Sequence, residues 1–130
     1  MTGLNMKSAE KLQVVNYGVG GYYRTHHDFQ PNTARKSANG SRIATVLIYM
    51  SNVEQGGATV FPLLNVTIWP KKGTAAVWYN LDSYGNNNNI TLHAACPVLL
   101  GSKWAANKWF REAGQEFIKP CPLHKETRSQ

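Results

Sequence analysis

Residues 42–69, RIATVLIYMSNVEQGGATVFPLLNVTIW, decide the fold class. They hold three runs of β-branched and aromatic residues, RIATVLIYM (42–50), ATVF (58–61) and NVTIW (65–69), separated by Gly and Pro breaks. No 3.6-residue period organises the apolar positions, and each run is short, so the stretch predicts strands. The same punctuation continues on both sides, in LQVVNY (12–17), TAAVWY (74–79), LHAACPV (92–98) and KWAANKWF (103–110). Short strands at this spacing predict an all-β-dominated chain, a sandwich or a barrel. QGGATVF (55–61) reads as a tight turn into a strand, with Gly56 and Gly57 supplying positive φ. QPNTARKSANGS (30–41) and DSYGNNNN (82–89) read as loops, the second polar and mobile.

The size and composition bound what these strands can build. At 130 residues, with 42% hydrophobic and 16% charged, the chain is expected to be a single folded domain over 1–130. No apolar run approaches a membrane span, so no membrane partner is expected. Fourteen basic residues face seven acidic ones, but only Arg35-Lys36 and Lys71-Lys72 are adjacent. Cations spread in this way do not form a nucleic-acid footprint, and no nucleic-acid partner is expected. Cys96 and Cys121 are either one disulfide, which would contribute roughly 3 kcal/mol, or two buried thiols. Sequons at Asn39, Asn65 and Asn89 lend weak support to a secretory location, while MTGLNMKSAEK at the start contains no apolar signal region.

The candidate chemistry lies in YYRTHHDF (22–29). In an extended segment side chains alternate, so His26 and Asp28 project to one side and His27 to the other. A His-x-Asp pair offers an imidazole nitrogen and a carboxylate to one metal, with a third ligand from elsewhere. Of the two remaining histidines, His124 sits in the polar tail and His93 opens a strand, which makes His93 the better third ligand. Two histidines and a carboxylate form the facial triad of non-haem ferrous oxygenases; zinc on the same donors, as in hydrolases, is the competing reading. A ferrous oxygenase using 2-oxoglutarate needs an inward cation for the far carboxylate. Lys103, beyond the turn at Gly101, is one candidate, sharing a strand face with Ala105, Asn107 and Trp109; parity alone does not rank it above Lys108.

LQVVNYGVGGYYRTHHDF, RIATVLIYMSNVEQGGATVF, WPKKGTAAVWYNL, HAACPVLLGSKW and NKWFREAGQEF…PC together resemble the catalytic domain of the collagen-type prolyl 4-hydroxylase alpha subunit. The resemblance covers nearly the whole chain. It implies a double-stranded β-helix (jelly roll), iron on His26, Asp28 and His93, and the 2-oxoglutarate carboxylate on Lys103. It further implies Tyr23 and Tyr49 lining the co-substrate pocket, Trp109 near it, and a Cys96–Cys121 disulfide. The implied reaction is 4-hydroxylation of peptidyl proline in collagen-like sequences, coupled to oxidative decarboxylation of 2-oxoglutarate to succinate, with L-ascorbate as an accessory reductant. The endoplasmic reticulum lumen and a protein disulfide isomerase partner are implied for a longer form. The resemblance begins inside the family's domain, so it also implies missing N-terminal elements and exposed sheet edges.

Several positions depart from the family pattern. Arg24-Thr25 stands where Glu-Pro is usual, His27 where a noncoordinating aromatic is usual, and Arg111 where a histidine orients the co-substrate. The alternative these departures keep open is a catalytically silent jelly roll that binds proline-rich peptides or serves assembly. Trp69, Trp78 and Trp104 are read as core residues rather than a substrate platform.

Overall fold

A computed structural model of the chain describes residues 2–30 and 38–123. Ten strands are present among them: β1 (Gln13–Tyr17), β2 (Tyr23–His26), β3 (Arg42–Tyr49), β4 (Gln55–Gly56), β5 (Thr59–Phe61), β6 (Val66–Ile68), β7 (Ala75–Tyr79), β8 (His93–Ala95), β9 (Val98–Leu100) and β10 (Lys103–Arg111). The first sheet runs β1-β10-β3-β7 and the second β2-β8-β5-β6, while β4 and β9 form a small pair. Every pairing between them is antiparallel. With the small pair set aside, the eight remaining strands fall into two four-stranded sheets in the order 1-8-3-6 and 2-7-4-5. That interleaving is the double-stranded β-helix, in which successive strands cross between two facing sheets.

Parity along β10 sorts the two faces of the first sheet. Lys103, Ala105, Asn107 and Trp109 face the cavity between the sheets. Phe110 faces away, where it packs with Leu4, Val46 and Leu81. On the inner side Leu47, Tyr49, Ala76 and Ala105 form a second cluster. The Tyr49 hydroxyl donates to Thr59 Oγ1 at 2.8 Å, tying β3 to β5 across the interior. β3, flanked by β10 and β7 and almost wholly buried, is one of the two interior strands of this sheet.

LHAACPV does not form one strand. Pro97 breaks it into β8 and β9, because a prolyl nitrogen cannot donate to a ladder. Glycine is required at Gly56, where φ is +79° and an added Cβ would lie 2.4 Å from the Pro97 carbonyl. The 82–89 segment is a built turn rather than a free loop. The Asp82 carboxylate accepts from the backbone N–H groups of Tyr84 and Asn86, both at 2.8 Å. Residues 31–37 of the other expected loop, with Arg35-Lys36, lie outside the described residues, as does His124.

Candidate metal centre and adjoining cavity

β2 ends at His26, and Asp28 lies in the bend that follows. The pair therefore does not share a face by strand alternation; the bend turns the Asp28 carboxylate back toward His26. His93 stands directly across the ladder from His26 at the start of β8. His26 Nε2 lies 3.5 Å from Asp28 Oδ1, and His93 Nε2 lies 3.7 Å from Asp28 Oδ2. One donor atom from each of the three residues falls within 4.8 Å of the others, the single such grouping among the described residues.

Each imidazole is oriented from behind. His26 Nδ1 meets the Arg24 carbonyl at 2.7 Å and His93 Nδ1 meets the Thr91 carbonyl at 2.8 Å. A carbonyl only accepts, so both Nδ1 atoms carry the proton and both Nε2 lone pairs point to the common centre. Asp28 is fixed in turn by the Thr45 hydroxyl, which donates to Oδ2 at 2.7 Å and accepts from Asn80 Nδ2 at 2.9 Å. These supporting residues lie in β3 and just after β7, far from the ligands in sequence, and no local pattern announces them.

The electrostatics favour the ligand form of Asp28 and His93 and leave at His26 a proton for a metal to displace. Burial works to raise the Asp28 pKa, but the bond to His26, the charge of His93, the Thr45 hydroxyl and the facing Trp109 indole outweigh it and hold it below the usual carboxylate value. Burial depresses His93, so it is neutral near pH 7. His26 moves the other way: burial opposes its charge, but the Asp28 bond and charge and the Arg24 carbonyl raise it above 6.5. Two neutral imidazole nitrogens and one carboxylate suit a divalent first-row metal, and with three protein donors coordination positions are left for other ligands.

Next to this centre lies a cavity of about 930 Å³ between the two sheets. Lys103 is 2% exposed, and its Nζ donates to the Gly57 carbonyl at 2.6 Å. No carboxylate pairs with it among the described residues, and burial lowers its pKa to about 8, an effect that nearby Cys96 partly offsets. An uncompensated ammonium in a cavity is a receptor for an anion. Lys108, on the opposite face of β10, donates instead to the Glu10 carbonyl, so packing separates the two lysines.

The other expected residues are placed as follows. Tyr23 lines the cavity, with its ring edge-on to His26 at 4.3 Å between centroids. Trp109 lines it too, its buried indole facing Asp28, and the Arg42 guanidinium lies 3.8 Å over its ring. Tyr49 does not line the cavity. It is 1% exposed, but its hydroxyl donates to Thr59, which does line the cavity, and its ring centroid lies 5.6 Å from Lys103 Nζ. The implied disulfide is not formed: Cys96 and Cys121 are free. The Cys96 N–H bonds to Ala58 beside β5, whereas Cys121 follows β10 beside Ile43 and Leu81, so the two thiols sit in separate surroundings.

His27 lies on the expected side, whereas Arg111 and two of the tryptophans are placed otherwise than expected. His27 stacks on Phe29, and its Nε2 meets the Asn89 carbonyl, turned away from the donor cluster. Arg111 does not line the cavity; it bonds to Gln30 Oε1, the Gly40 carbonyl and Glu10. Of the tryptophans, Trp78 packs on His93, but Trp69 and Trp104 are 64% and 46% exposed and are not core. The pairing of Glu10 with Arg42 and Arg111 at the cavity wall carries no sequence signature at all.

The sequence profile of the 2OG-Fe(II) oxygenase superfamily matches residues 12–111. Among curated proteins, the chain is 56% identical to prolyl 4-hydroxylase subunit alpha-1 of Rattus norvegicus over 127 residues, which are 95% of this chain and 24% of that protein. It is 53% identical to prolyl 4-hydroxylase subunit alpha-2 of Caenorhabditis elegans, covering 98% of this chain and 24% of that one. The chain thus spans about a quarter of the length of the curated relatives it matches. Among solved structures, it is similar to a viral collagen prolyl hydroxylase of Paramecium bursaria Chlorella virus-1 in complex with 2OG. The TM-score is 0.71 at 37% identity, over 79% of this chain and 59% of that one. A prolyl-4-hydroxylase of Pseudomonas putida shares the fold, with a TM-score of 0.56 at 21% identity.

Proposed function

The chain belongs to the 2OG-Fe(II) oxygenase superfamily, and from that premise we propose that it carries the catalytic unit of a prolyl 4-hydroxylase acting on collagen-like peptides. Members of the superfamily use ferrous iron and 2-oxoglutarate, and the donor set here fits both. His26, Asp28 and His93 would hold the iron, and Lys103 the far carboxylate of 2-oxoglutarate. The observation that carries this reading is the conjunction of a three-donor cluster with a buried, unpaired ammonium in the same cavity.

When bound, the iron and its co-substrate would supply the oxidising chemistry that turns dioxygen, 2-oxoglutarate and a peptidyl proline into succinate, carbon dioxide and peptidyl hydroxyproline. The chain supplies placement. The Arg24 and Thr91 carbonyls keep both imidazole Nε2 lone pairs aimed inward, and Thr45 fixes the carboxylate that completes the face. Lys103 would hold the far carboxylate of the dicarboxylate, leaving its 2-oxo end for the metal. The flanking apolar wall of Leu47, Trp78 and Ala105 keeps that end dry. The exposed rim, which includes Tyr23 and Lys11, remains for the peptide, whose proline ring must reach the centre.

Residues 1–130 form a single catalytic domain in this reading. The resemblance to the alpha subunits supports the lumen of the endoplasmic reticulum, ascorbate as accessory reductant, and a protein disulfide isomerase partner for a longer form. The test is incubation of the folded chain with Fe(II), 2-oxoglutarate, ascorbate and a proline-rich collagen-like peptide. Succinate and peptide 4-hydroxyproline should form in equal amounts and both vanish in Asp28→Ala. Hydroxylation at no proline from a chain that binds iron and 2-oxoglutarate would favour the silent peptide-binding module instead.

A further inference from the structure

The three sequons are not equivalent once folded. At Asn39-Gly40-Ser41 the hydroxyl-bearing residue is fully buried: Ser41 is 0% exposed, its Oγ accepts from Gln30 N–H at 3.1 Å, and its N–H is bonded to Glu112. At Asn89-Ile90-Thr91 the threonine is 4% exposed, its hydroxyl donates to the Asn88 carbonyl at 2.7 Å, and the Asn89 carbonyl meets His27. Asn65-Val66-Thr67 is the reverse case, for every residue from Pro62 to Thr67 is exposed.

The local backbone also presents Asn65 outward. It ends a 3-10 turn at Pro62–Leu64 with φ 52° and ψ 42°, a left-handed conformation that asparagine tolerates well. No hydrogen bond to its carboxamide forms among the described residues. Immediately beyond it β6 forms the outer strand of the second sheet, its far edge unpaired among the described residues. Leu63, Leu64, Val66 and Trp69 are 61%, 44%, 42% and 64% exposed. An apolar patch on an open strand edge is a site of self-association unless something covers it.

We propose that Asn65 is an N-glycosylation site and that its glycan shields this edge, whereas Asn39 and Asn89 stay unmodified in the folded protein. The inference rests on the secretory location proposed above. The co-reactant is a lipid-diphosphate-linked oligosaccharide. Asn65 Nδ2 bonds to the anomeric carbon of its first sugar, the bond from that carbon to the diphosphate oxygen breaks, and the amide proton is given up as the lipid diphosphate leaves. No electrons are exchanged. The exposed Thr67 hydroxyl two positions on satisfies the acceptor pattern.

The experiment translates the full chain behind a fused cleavable signal peptide into microsomes, followed by glycosidase treatment and peptide mass spectrometry of the soluble folded fraction. The fused signal removes natural location from the question, so the result tests Asn65 alone. A single glycosidase-sensitive band is expected, lost in Asn65→Gln and in Thr67→Ala, and kept in Asn39→Gln and Asn89→Gln. Thr67→Ala preserves the Asn65 turn and so guards against misfolding of the Asn65 variant. An unshifted wild-type band, or a glycan in the folded fraction that persists in both Asn65→Gln and Thr67→Ala, would overturn the proposal.

Discussion

The Thr45 hydroxyl donates to Asp28 Oδ2 at 2.7 Å, linking an interior strand of one sheet to the carboxylate that completes the donor cluster on the other. Asn80 donates to the same hydroxyl at 2.9 Å, so the carboxylate is held by a chain of two bonds from the buried interior. Thr45→Val keeps the shape and removes the donor. It should weaken metal binding by roughly 10–100-fold, the usual effect of losing an outer-shell bond, as read by calorimetric titration with Fe(II) under anaerobic conditions. Wild-type affinity in that variant would mean that Thr45 serves packing alone.

Lys103 is expected to stabilise the ligand complex at the expense of the empty fold. Its folded pKa of about 8 lies below 10.5, so the unfolded chain binds the proton more tightly. The charged side chain therefore destabilises the empty protein by on the order of 3 kcal/mol below pH 8, and stability recovers as pH rises from 8 toward 10.5. Lys103→Met should raise the stability of the empty protein by about 1–3 kcal/mol at pH 7, while weakening 2-oxoglutarate binding by roughly two to three orders of magnitude. Chemical denaturation with and without 2-oxoglutarate measures both.

Metal affinity should depend on pH through His26 alone near neutrality. His93 is already held neutral and Asp28 ionised, whereas His26 is raised above 6.5. A metal must displace the His26 proton, so affinity is at its full value above that raised pKa and falls as pH drops through it. The decline should approach tenfold per pH unit just below that pKa, one proton per metal, and steepen at lower pH where His93 also takes up a proton, as read by Fe(II) titrations between pH 5 and 8.

Arg111 acts outside the cavity. Its bonds to Gln30 and Gly40 tie the end of β10 to the two segments between β2 and β3, and its ion pair ties it to Glu10 ahead of β1. Arg111→Ala should lower stability by about 1–3 kcal/mol. It should leave 2-oxoglutarate affinity within about twofold of wild type, since no partner is shared with Lys103. A large loss of affinity at unchanged stability would instead give Arg111 the co-substrate role of the family's histidine.

The legible part of the sequence was the part written in short-range pattern. β3 and β10 followed from their β-branched and aromatic runs, and the parity of β10 grouped Lys103 with Trp109. The choice of Lys103 over Lys108 did not follow from parity; it depends on which face of the sheet meets the second sheet. His26 and Asp28 were found by spacing, but the assumed strand ends at His26 and a bend brings them together. Thr45, Asn80, Glu10 and Arg42 were not legible, because their roles arise from contacts between positions 17–35 residues apart. Tyr49 was named from the family resemblance and not from local pattern; its hydroxyl meets Thr59 of the cavity wall, a contact between two strands that no local pattern announces.

The most direct test of the central claim is anaerobic titration of the folded chain with Fe(II) and 2-oxoglutarate, watched in the visible for the charge-transfer band of the chelate. The band should appear with one iron and one 2-oxoglutarate per chain, vanish in His26→Ala while circular dichroism is unchanged, and require millimolar rather than micromolar 2-oxoglutarate in Lys103→Met. A folded wild-type chain that gives no band, or a His26→Ala variant that keeps it, would contradict the assignment of His26, Asp28, His93 and Lys103 to the iron and co-substrate site.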